Sequence, residues 1–586
     1  MATKKKMRKG PQRGSALVFD EAQRAYLDSP YRSKQIVLAG PGTGKTTVAI
    51  QRVINLDGAL NSEQDHRYPA AVLFLSFSRA SIRAAANSMN TDLAKLDIEF
   101  QSQTIDSLAY EICRYDGQMS LSEIERTDFK ERLRVASDIA DEQGTHLTYD
   151  LRHVFIDEAQ DVSPAQAEFL NRYLTALPDE CGVTVFADPD QEIYRFLDSN
   201  GESTPRWDFF HHQLKDVFSW GYFVFHGQYR ARSIFMKRMF DDLKGVREEE
   251  NPARKAVLLD NLQSRLPTVT LERLASSVSS RASDSALLAR TNAAVTACFD
   301  YLRRTGYTNL SPVFPSDWHE SYPSWIGEVA CSVSENEFSS HEFKAALETT
   351  HLPRLDPDPV SHLDLLLRHQ MTWEDVKRSY DAINFRQTTT EPGRLTLSTI
   401  HQAKGLEFDD VAILEPEELL LREPVELEVL FVALSRAHNM TYSVIPPDDL
   451  LNFRIHGRRL VKHKFSGKRR LLTHISILPG DITVPESLGT KRADHVKHLD
   501  RDSFVFFEPI LTRSIFSYIC TVDGEPVGET TEDFGRLLQR ESGATTPPTL
   551  GSVPIAELET QFFSGRMGLR PILVPIPYGI SEIRYS

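Results

Sequence analysis

The stretch Gln35–Val48, QIVLAGPGTGKTTV, constrains this chain more than any other. An apolar run, Ile36–Ala39, leads into a glycine-rich turn, and a helix-compatible segment opens at Lys45. Strand, loop and helix in that order place the amides of Gly42, Gly44 and Lys45 at a helix N-terminus. There the backbone N–H groups and the helix dipole together hold a phosphate. Gly40, Gly42 and Gly44 let the backbone curl closely around the anion, where side chains would obstruct it. Lys45 reaches the β- and γ-phosphates, and the Thr46 hydroxyl is suited to ligate Mg²⁺. The first glycine of G-x-x-x-x-G-K-[ST] is replaced by Ala39, so this is not the commonest form of the loop.

Other segments extend the layered pattern. Phe19–Tyr26 reads as a short helix before the first strand. Ala71–Ser76 (AVLFLS) is a buried strand with a helix from Arg79, and His153–Ile156 and Val183–Ala187 are short apolar strands ending in acids. Strands alternating with helices imply a parallel α/β sheet, whose ligands gather at the carboxyl ends of the strands. A second series begins at Tyr222–His226 and resumes at Ala286–Ala289, Leu395–Thr399 and Val411–Leu414. The stretch Thr305–Phe385 reads as an insertion, helical around His362–Gln370 and Trp373–Phe385. From Leu471 onward, short Val/Ile/Phe runs between Pro/Gly turns read as a β-rich appendage. At 586 residues, several domains are expected.

The chemistry collects at strand ends. VFIDEAQD delivers Asp157 and Glu158, the first suited to Mg²⁺ and the second to take a proton from an attacking water. VFADPDQEIYRF supplies Gln191, suited to sense a γ-phosphate, and then Tyr194 and Phe196, whose rings could stack on unpaired bases. Gln228-Tyr229-Arg230 and the apolar helix VLFVALSRA add Arg230 and Arg436, read as charge stabilisers of phosphoryl transfer.

Composition narrows the class. The 41% hydrophobic and 25% charged residues are those of an ordinary globular protein. No apolar run is long enough to cross a bilayer, so no membrane partner is expected. Cys113, Cys181, Cys298, Cys331 and Cys520 are scattered without a C-x-x-C pair, which fits a reducing cytoplasm rather than zinc or a disulfide framework. The net charge of −15 means that a nucleic-acid partner must be met by local basic surface. Two such stretches stand out: the Met1–Arg13 arm, read as a solvated tail or a nucleic-acid-touching arm, and Arg454–Arg470, which no acid interrupts.

The ordered series AGPGTGKT, SFSRAS, QTIDSLA, IDEAQD, ADPDQEIYRF, QYR, STIHQAKGLEF and VALSRA resembles the motifs of superfamily 1 helicases of the UvrD/Rep/PcrA type. The resemblance spans about residues 17–445. It implies two RecA-like P-loop NTPase domains with parallel sheets and ATP between them, reduced accessory inserts and a β-rich C-terminal appendage. The implied boundaries are a basic disordered arm (1–16), a first domain (17–217) with a short helical insert near 111–150, a second domain (218–304 and 386–450), an accessory insert (305–385) and the appendage (451–586). The cofactors implied are ATP and Mg²⁺. Gln23 matches the adenine-reading glutamine. Ala39, Gly40, Pro41, Gly42, Thr43, Gly44, Lys45, Thr46 and Thr47 match the nucleotide loop. Asp157 and Glu158 match the metal ligand and base, with Thr46 the second metal ligand. Gln191, Arg230 and Arg436 match the γ-phosphate contacts, and Glu407 matches the motif glutamate near ribose and phosphates. Phe77, Tyr194, Phe196 and His401 match the single-strand track.

The expected activity is ATP-dependent movement along single-stranded or partly duplex DNA, 3′ to 5′, as relatives perform in DNA repair, replication or defence against foreign DNA. The rival reading is a nucleic-acid-activated ATPase switch whose residues 451–586 dock a protein such as a nuclease or antiphage effector. Three departures bear on the match: Asp106 where the family carries histidine, Leu197 in place of an arginine, and Glu428 in place of a basic residue.

Overall fold

The computed structural model describes residues 18–63, 70–76, 96, 98–117, 119–143, 148, 150–194, 205–215, 217–281, 284–315, 318, 322–333, 337–348, 350, 371–377, 394–414, 426–447, 453–466, 469–485, 496–499, 502–565 and 568–585. They belong to two compact units. One comprises residues 1–77, 88–189 and 203–229; the other comprises 78–87, 190–202 and 230–586.

The first unit is built on six parallel strands. These are β1 (Lys34–Ala39), β2 (Ala71–Ser76), β3 (Glu99–Thr104), β4 (Leu151–Asp157), β5 (Gly182–Ala187) and β6 (Gly221–Phe225), in the order β3-β2-β4-β5-β1-β6. A parallel sheet is covered on both faces, so β2 and β5 are buried at every position. The helices Ile105–Tyr115 and Pro164–Thr175 supply Leu108, Ile112, Phe169 and Tyr173 to one of these layers. On the way into β1, the short helix Glu21–Asp28 is closed by an Asp20/Gln23 capping box. Its fully buried Tyr26 packs against Phe186, Phe223 and Phe225, and bonds the Thr184 hydroxyl at 2.8 Å. Arg52, on the helix Lys45–Glu63, donates to the carbonyls of Tyr26, Leu27, Ser29 and Pro30. The helix that follows the phosphate loop is thereby locked to the helix that carries Gln23.

Two features differ from the sequence reading. EFQSQT is too polar to read as a buried strand, yet it forms β3 at the sheet edge, where partial exposure tolerates those side chains. Gly221–Phe225, read as opening the second domain, pairs with β1 in the first sheet, from Gln35↔Gly221 to Ala39↔Phe225. Strand order comes from hydrogen bonding across the fold, and nothing in the local pattern of GYFVF carries it. The helix expected from Arg79, and that around His362–Gln370, fall outside the described residues.

The second unit contains another six-stranded parallel sheet. Its strands are β7 (Thr268–Val269), β8 (Ser285–Ala289), β9 (Leu310–Pro312), β13 (Leu395–Thr399), β14 (Phe408–Leu414) and β15 (Ala437–Val444), in the order β7-β15-β14-β8-β13-β9. Helices Ile234–Glu248 and Glu426–Leu434 cover one face, and Asn292–Arg304 covers the other. From the stretch read as an insert, β9 joins this sheet, while β10 (Tyr322–Pro323) pairs with a strand of the C-terminal region. β11 (Glu337–Phe338) and β12 (Met371–Thr372) form a two-stranded ribbon.

The C-terminal region is β-rich, as expected. β16 (Arg454–His456), β17 (Arg459–Ser466) and β18 (Arg469–Ile477) are an antiparallel run. β19 (Ile482–Thr483), β20 (Phe504–Pro509), β21 (Tyr518–Val522) and β22 (Glu525–Thr530) belong to a second sheet. β23 (Thr549–Leu550), β24 (Val553–Gly565), β25 (Gly568–Pro577) and β26 (Gly579–Arg584) complete the chain.

This region is clamped to the helix Asn292–Arg304. Tyr578, only 1% exposed, packs on Phe299 and Phe314, and its hydroxyl accepts from Thr296 at 2.8 Å. Asp300 accepts from the amide of Ile580 at 2.9 Å, and Arg304 donates to Asp300 and to the Ile580 carbonyl. Among the described residues, no helix is long and apolar enough to cross a membrane.

Because Tyr578 fills the joint between helix and appendage, Tyr578→Ala should cost about 3–5 kcal/mol. Equilibrium denaturation is expected to show the appendage and the second parallel sheet losing structure together, at lower denaturant than in the unmodified chain. An appendage that unfolds in a separate transition would contradict the clamp.

Candidate functional site

In the first unit the phosphate loop lies between β1 and the helix that opens at Lys45. Gly42 and Gly44 adopt φ of +73° and +83°, the left-handed region where a side chain is strained. A Cβ on Gly44 would also stand 3.3 Å from Gln23 Nε2 and 3.5 Å from the Tyr229 ring. Three successive carbonyls of the loop are held by residues outside it. Gln228 Nε2 donates to Pro41 O at 3.0 Å, the Tyr229 amide to Gly42 O at 2.8 Å, and Gln23 Nε2 to Thr43 O at 2.9 Å. Inside the loop, Thr43 Oγ1 donates to Gly40 O at 2.8 Å, and Lys45 Nζ reaches Ala39 O at 3.2 Å. Ala39 and Pro41 are buried, Thr46 is half-buried and Thr47 is exposed. Gln23 is therefore not an open reading head: both ends of its amide are engaged, Oε1 accepting from the Asp20 amide and the Tyr229 hydroxyl. Burial and the nearby Asp20 carboxylate both push the Tyr229 phenol up, which keeps it a donor.

The acids arrive as the strand pattern requires. Asp157 ends β4 in register with Ser76 at the end of β2. Glu158 follows at φ 53°, ψ 41°, a left-handed conformation rare for a residue with a side chain. Its carboxylate accepts from Gln160 Nε2 at 2.6 Å, and the Gln160 Oε1 accepts from the Asp188 amide at 2.9 Å. Gln160 is fully buried. It ties the residue after β4 to the residue after β5, a function that IDEAQD does not announce in sequence. Oxygen donors on Thr46 and Asp157 suit a hard divalent cation. Among the described residues, no group of three or more His, Cys, Asp or Glu is placed to hold a metal.

In the second unit the other expected residues form one network. Arg230 pairs with Glu407 and donates to Ser435 O at 2.6 Å. Arg436, only 2% exposed, donates to Gln191 Oε1 at 2.7 Å and to Val432 O at 3.0 Å. Burial raises the Glu407 carboxyl, but Arg230, backed by His438 and Arg436, outweighs it and holds the group below its ordinary value. Sequence reasoning missed two partners here. Lys404 donates to Gln191 O, and Asp190 binds both Arg247 and Lys255. All three cations lie beyond the motif that they anchor, and long-range pairing leaves no local signal.

The strand-track residues are brought together only in part. The Tyr194 hydroxyl donates to His401 O at 3.0 Å, its ring meets the His401 ring edge-on at 5.9 Å, and Lys404 lies 5.5 Å from its centroid. Tyr194 is half-buried, a packed ring rather than an open platform. Phe77 and Phe196 lie outside the described residues. Asp106, the histidine replacement, accepts from Gln166 Nε2 at 2.9 Å.

Comparison with known proteins gives two family matches, an AAA domain over residues 21–197 and a UvrD-like helicase C-terminal domain over residues 394–441. A mitochondrial ATP-dependent DNA helicase of Saccharomyces cerevisiae, HMI1, is 28% identical over 120 residues, 20% of this chain and 16% of that protein. The chain thus spans about a sixth of the length of that relative. Among solved structures, the Pif1 helicase of Candida albicans is 13% identical, covering 74% of this chain and 98% of that one at a TM-score of 0.35. A Bacteroides Pif1 in complex with ADP-AlF3 and single-stranded DNA is 13% identical, covering 74% and 96% at 0.35.

If Gln160 orients the Glu158 carboxylate, Gln160→Leu should lower kcat for ATP by about 10²-fold, since small displacements of a reacting group cost that much. Nucleotide affinity, read by equilibrium titration, should stay within a few-fold. An unchanged kcat would remove Gln160 from the site.

Proposed function

We propose that this chain, a member of the superfamily 1 helicases, is an ATP-driven motor that moves 3′ to 5′ along single-stranded DNA. The observation that carries this reading is the held loop. Gln23, Gln228 and Tyr229 fix its carbonyls while Lys45 and the acids at the end of β4 stand at the same edge of the sheet. The direction rests on the resemblance of the motif series to UvrD-type enzymes, and the DNA substrate is supported by the likeness to the yeast DNA helicase.

The loop amides and Lys45 would bind the β- and γ-phosphates of ATP. Thr46 and Asp157 would hold Mg²⁺, which when bound neutralises charge on the phosphate oxygens. Glu158 would accept the proton of the attacking water at its carboxylate. Gln191, Arg230 and Arg436 would place positive and polar groups on the transferring phosphoryl, and Glu407 would hold Arg230 in position.

Chain connectivity suggests how turnover could become motion. Tyr229, bonded to the loop, belongs to the first unit, while its neighbour Arg230 belongs to the second. Likewise Pro189 belongs to the first unit, and Asp190 and Gln191 to the second. Two of the three motifs that carry γ-phosphate residues, those of Gln191 and Arg230, therefore lie where the chain passes from one unit to the other.

Lys45→Ala should abolish hydrolysis. Glu158→Gln should bind ATP and turn over very slowly, and Arg436→Ala should lower kcat by about 10³-fold or more with a smaller change in nucleotide affinity. The three are measured by steady-state ATPase with single-stranded DNA present and by equilibrium nucleotide binding. Near-normal turnover in Glu158→Gln or Arg436→Ala would contradict the base and charge-stabilising roles of these two residues.

A further inference from the structure

The β17–β18 hairpin carries a surface that the motor reading does not use. Its sequence neighbourhood contains Arg454, Arg458, Arg459, Lys462, Lys464, Lys468, Arg469 and Arg470 without an acid, in a chain of net charge −15. The structure sorts these cations. Arg459 is structural, pairing through both guanidinium nitrogens with the buried Asp481. Lys462 lies 5.4 Å from the Phe453 ring centroid.

The outer half of the hairpin is different. Phe465 is 70% exposed and sits directly opposite Arg470 on β18. Residues opposite one another in an antiparallel pair share a face, and so do residues two apart. His463 therefore joins Phe465 and Arg470, and the Arg470 guanidinium reaches His463 Nδ1 at 3.1 Å. Arg454, exposed on β16 and opposite Val461, stands near enough to the His463 ring to act on its charge. Its pairing position, Val461, is four residues along β17 from Phe465, roughly 13 Å at strand spacing. Burial and then Arg470, with Arg454 and His456 also contributing, hold the His463 ring below its ordinary value, against the opposing pull of Glu541. Glu541 is the acid facing this group, and it bonds His456 at 3.1 Å and Arg540 at 3.3 Å.

The base of the hairpin is packed against the rest of the second unit. Leu460 packs with Ala293, Ala297 and Ile580, while Val461, Leu472 and Ile475 lie in the appendage core. The exposed ring is therefore presented on a fixed support, which reduces the ordering cost of binding.

We propose that this face binds single-stranded nucleic acid, with Phe465 stacking on a base and Arg454 and Arg470 taking flanking phosphates. An acidic protein would be met by the charges alone. A large exposed aromatic ring between cations is what an unpaired base and its backbone require. The proposal rests on the motor reading for its substrate, and extends the strand contact to a part of the chain outside the motif series.

The test is fluorescence anisotropy of a labelled oligo-dT 20-mer on the full chain, across a range of salt. Phe465→Ala should weaken binding by roughly 5- to 150-fold, the equivalent of one lost stacking contact, and Phe465→Trp should restore it. Arg454→Ala with Arg470→Ala should flatten the slope of log K against log salt by about 1.4, two phosphate contacts on a single strand. Melting temperatures equal to that of the unmodified chain would confirm that the fold is intact. Unchanged affinity and slope in these variants, with tight binding by the unmodified chain, would overturn the hairpin site and leave the motor reading standing. An unmodified chain that fails to bind the oligonucleotide would overturn both.

Discussion

Three bonds to the carbonyls of Pro41, Gly42 and Thr43 set the conditions for the rest of the first unit's chemistry. A phosphate loop offers amides to an anion only if its carbonyls are turned elsewhere, and here each is taken by a residue distant in sequence. Gln23 comes from the helix before β1, and Gln228 and Tyr229 from the segment after β6. Those donors are in turn fixed: Arg52 binds the end of the Gln23 helix, and Tyr229 bonds Asp20 and Gln23. The glycines at φ > 0 then serve a backbone whose shape is imposed from outside.

The second unit applies a similar economy to charge. Arg230 and Arg436 are costly to bury unless they are paired and hydrogen-bonded. Glu407, Ser435, Val432 and Gln191 supply those partners, so the guanidinium groups are oriented rather than mobile. The appendage extends the same body. Through Tyr578, Asp300 and Arg304 it is joined to the helix that covers the back of the second parallel sheet. A surface carried on the appendage is consequently carried by the unit that holds the two arginines.

Much of the architecture was legible because buried parallel strands write themselves as continuous apolar runs, as AVLFLS and VFID do. The placement of Asp157, Glu158 and Lys45 was legible because each stands at a short, fixed spacing from a strand end. The polar edge strand β3 had no such signature, and the placement of β6 beside β1 depended on pairing across nearly two hundred residues of chain. The same limit hid Gln160's bridge, the Asp190 ion pairs and the engagement of Gln23 by Thr43, all of which are contacts rather than patterns. In the basic run, sequence treated eight cations alike. The fold separates Arg459, neutralised by Asp481, from the exposed cations beside Phe465.

The central claim is that phosphate chemistry in the first unit is coupled to a single nucleic-acid strand. The most direct measurement is the steady-state ATPase rate of the full chain alone and with single-stranded DNA, single-stranded RNA or blunt duplex. The account predicts a low basal rate that rises strongly with single-stranded DNA and much less with blunt duplex. A rate that no nucleic acid changes would contradict it.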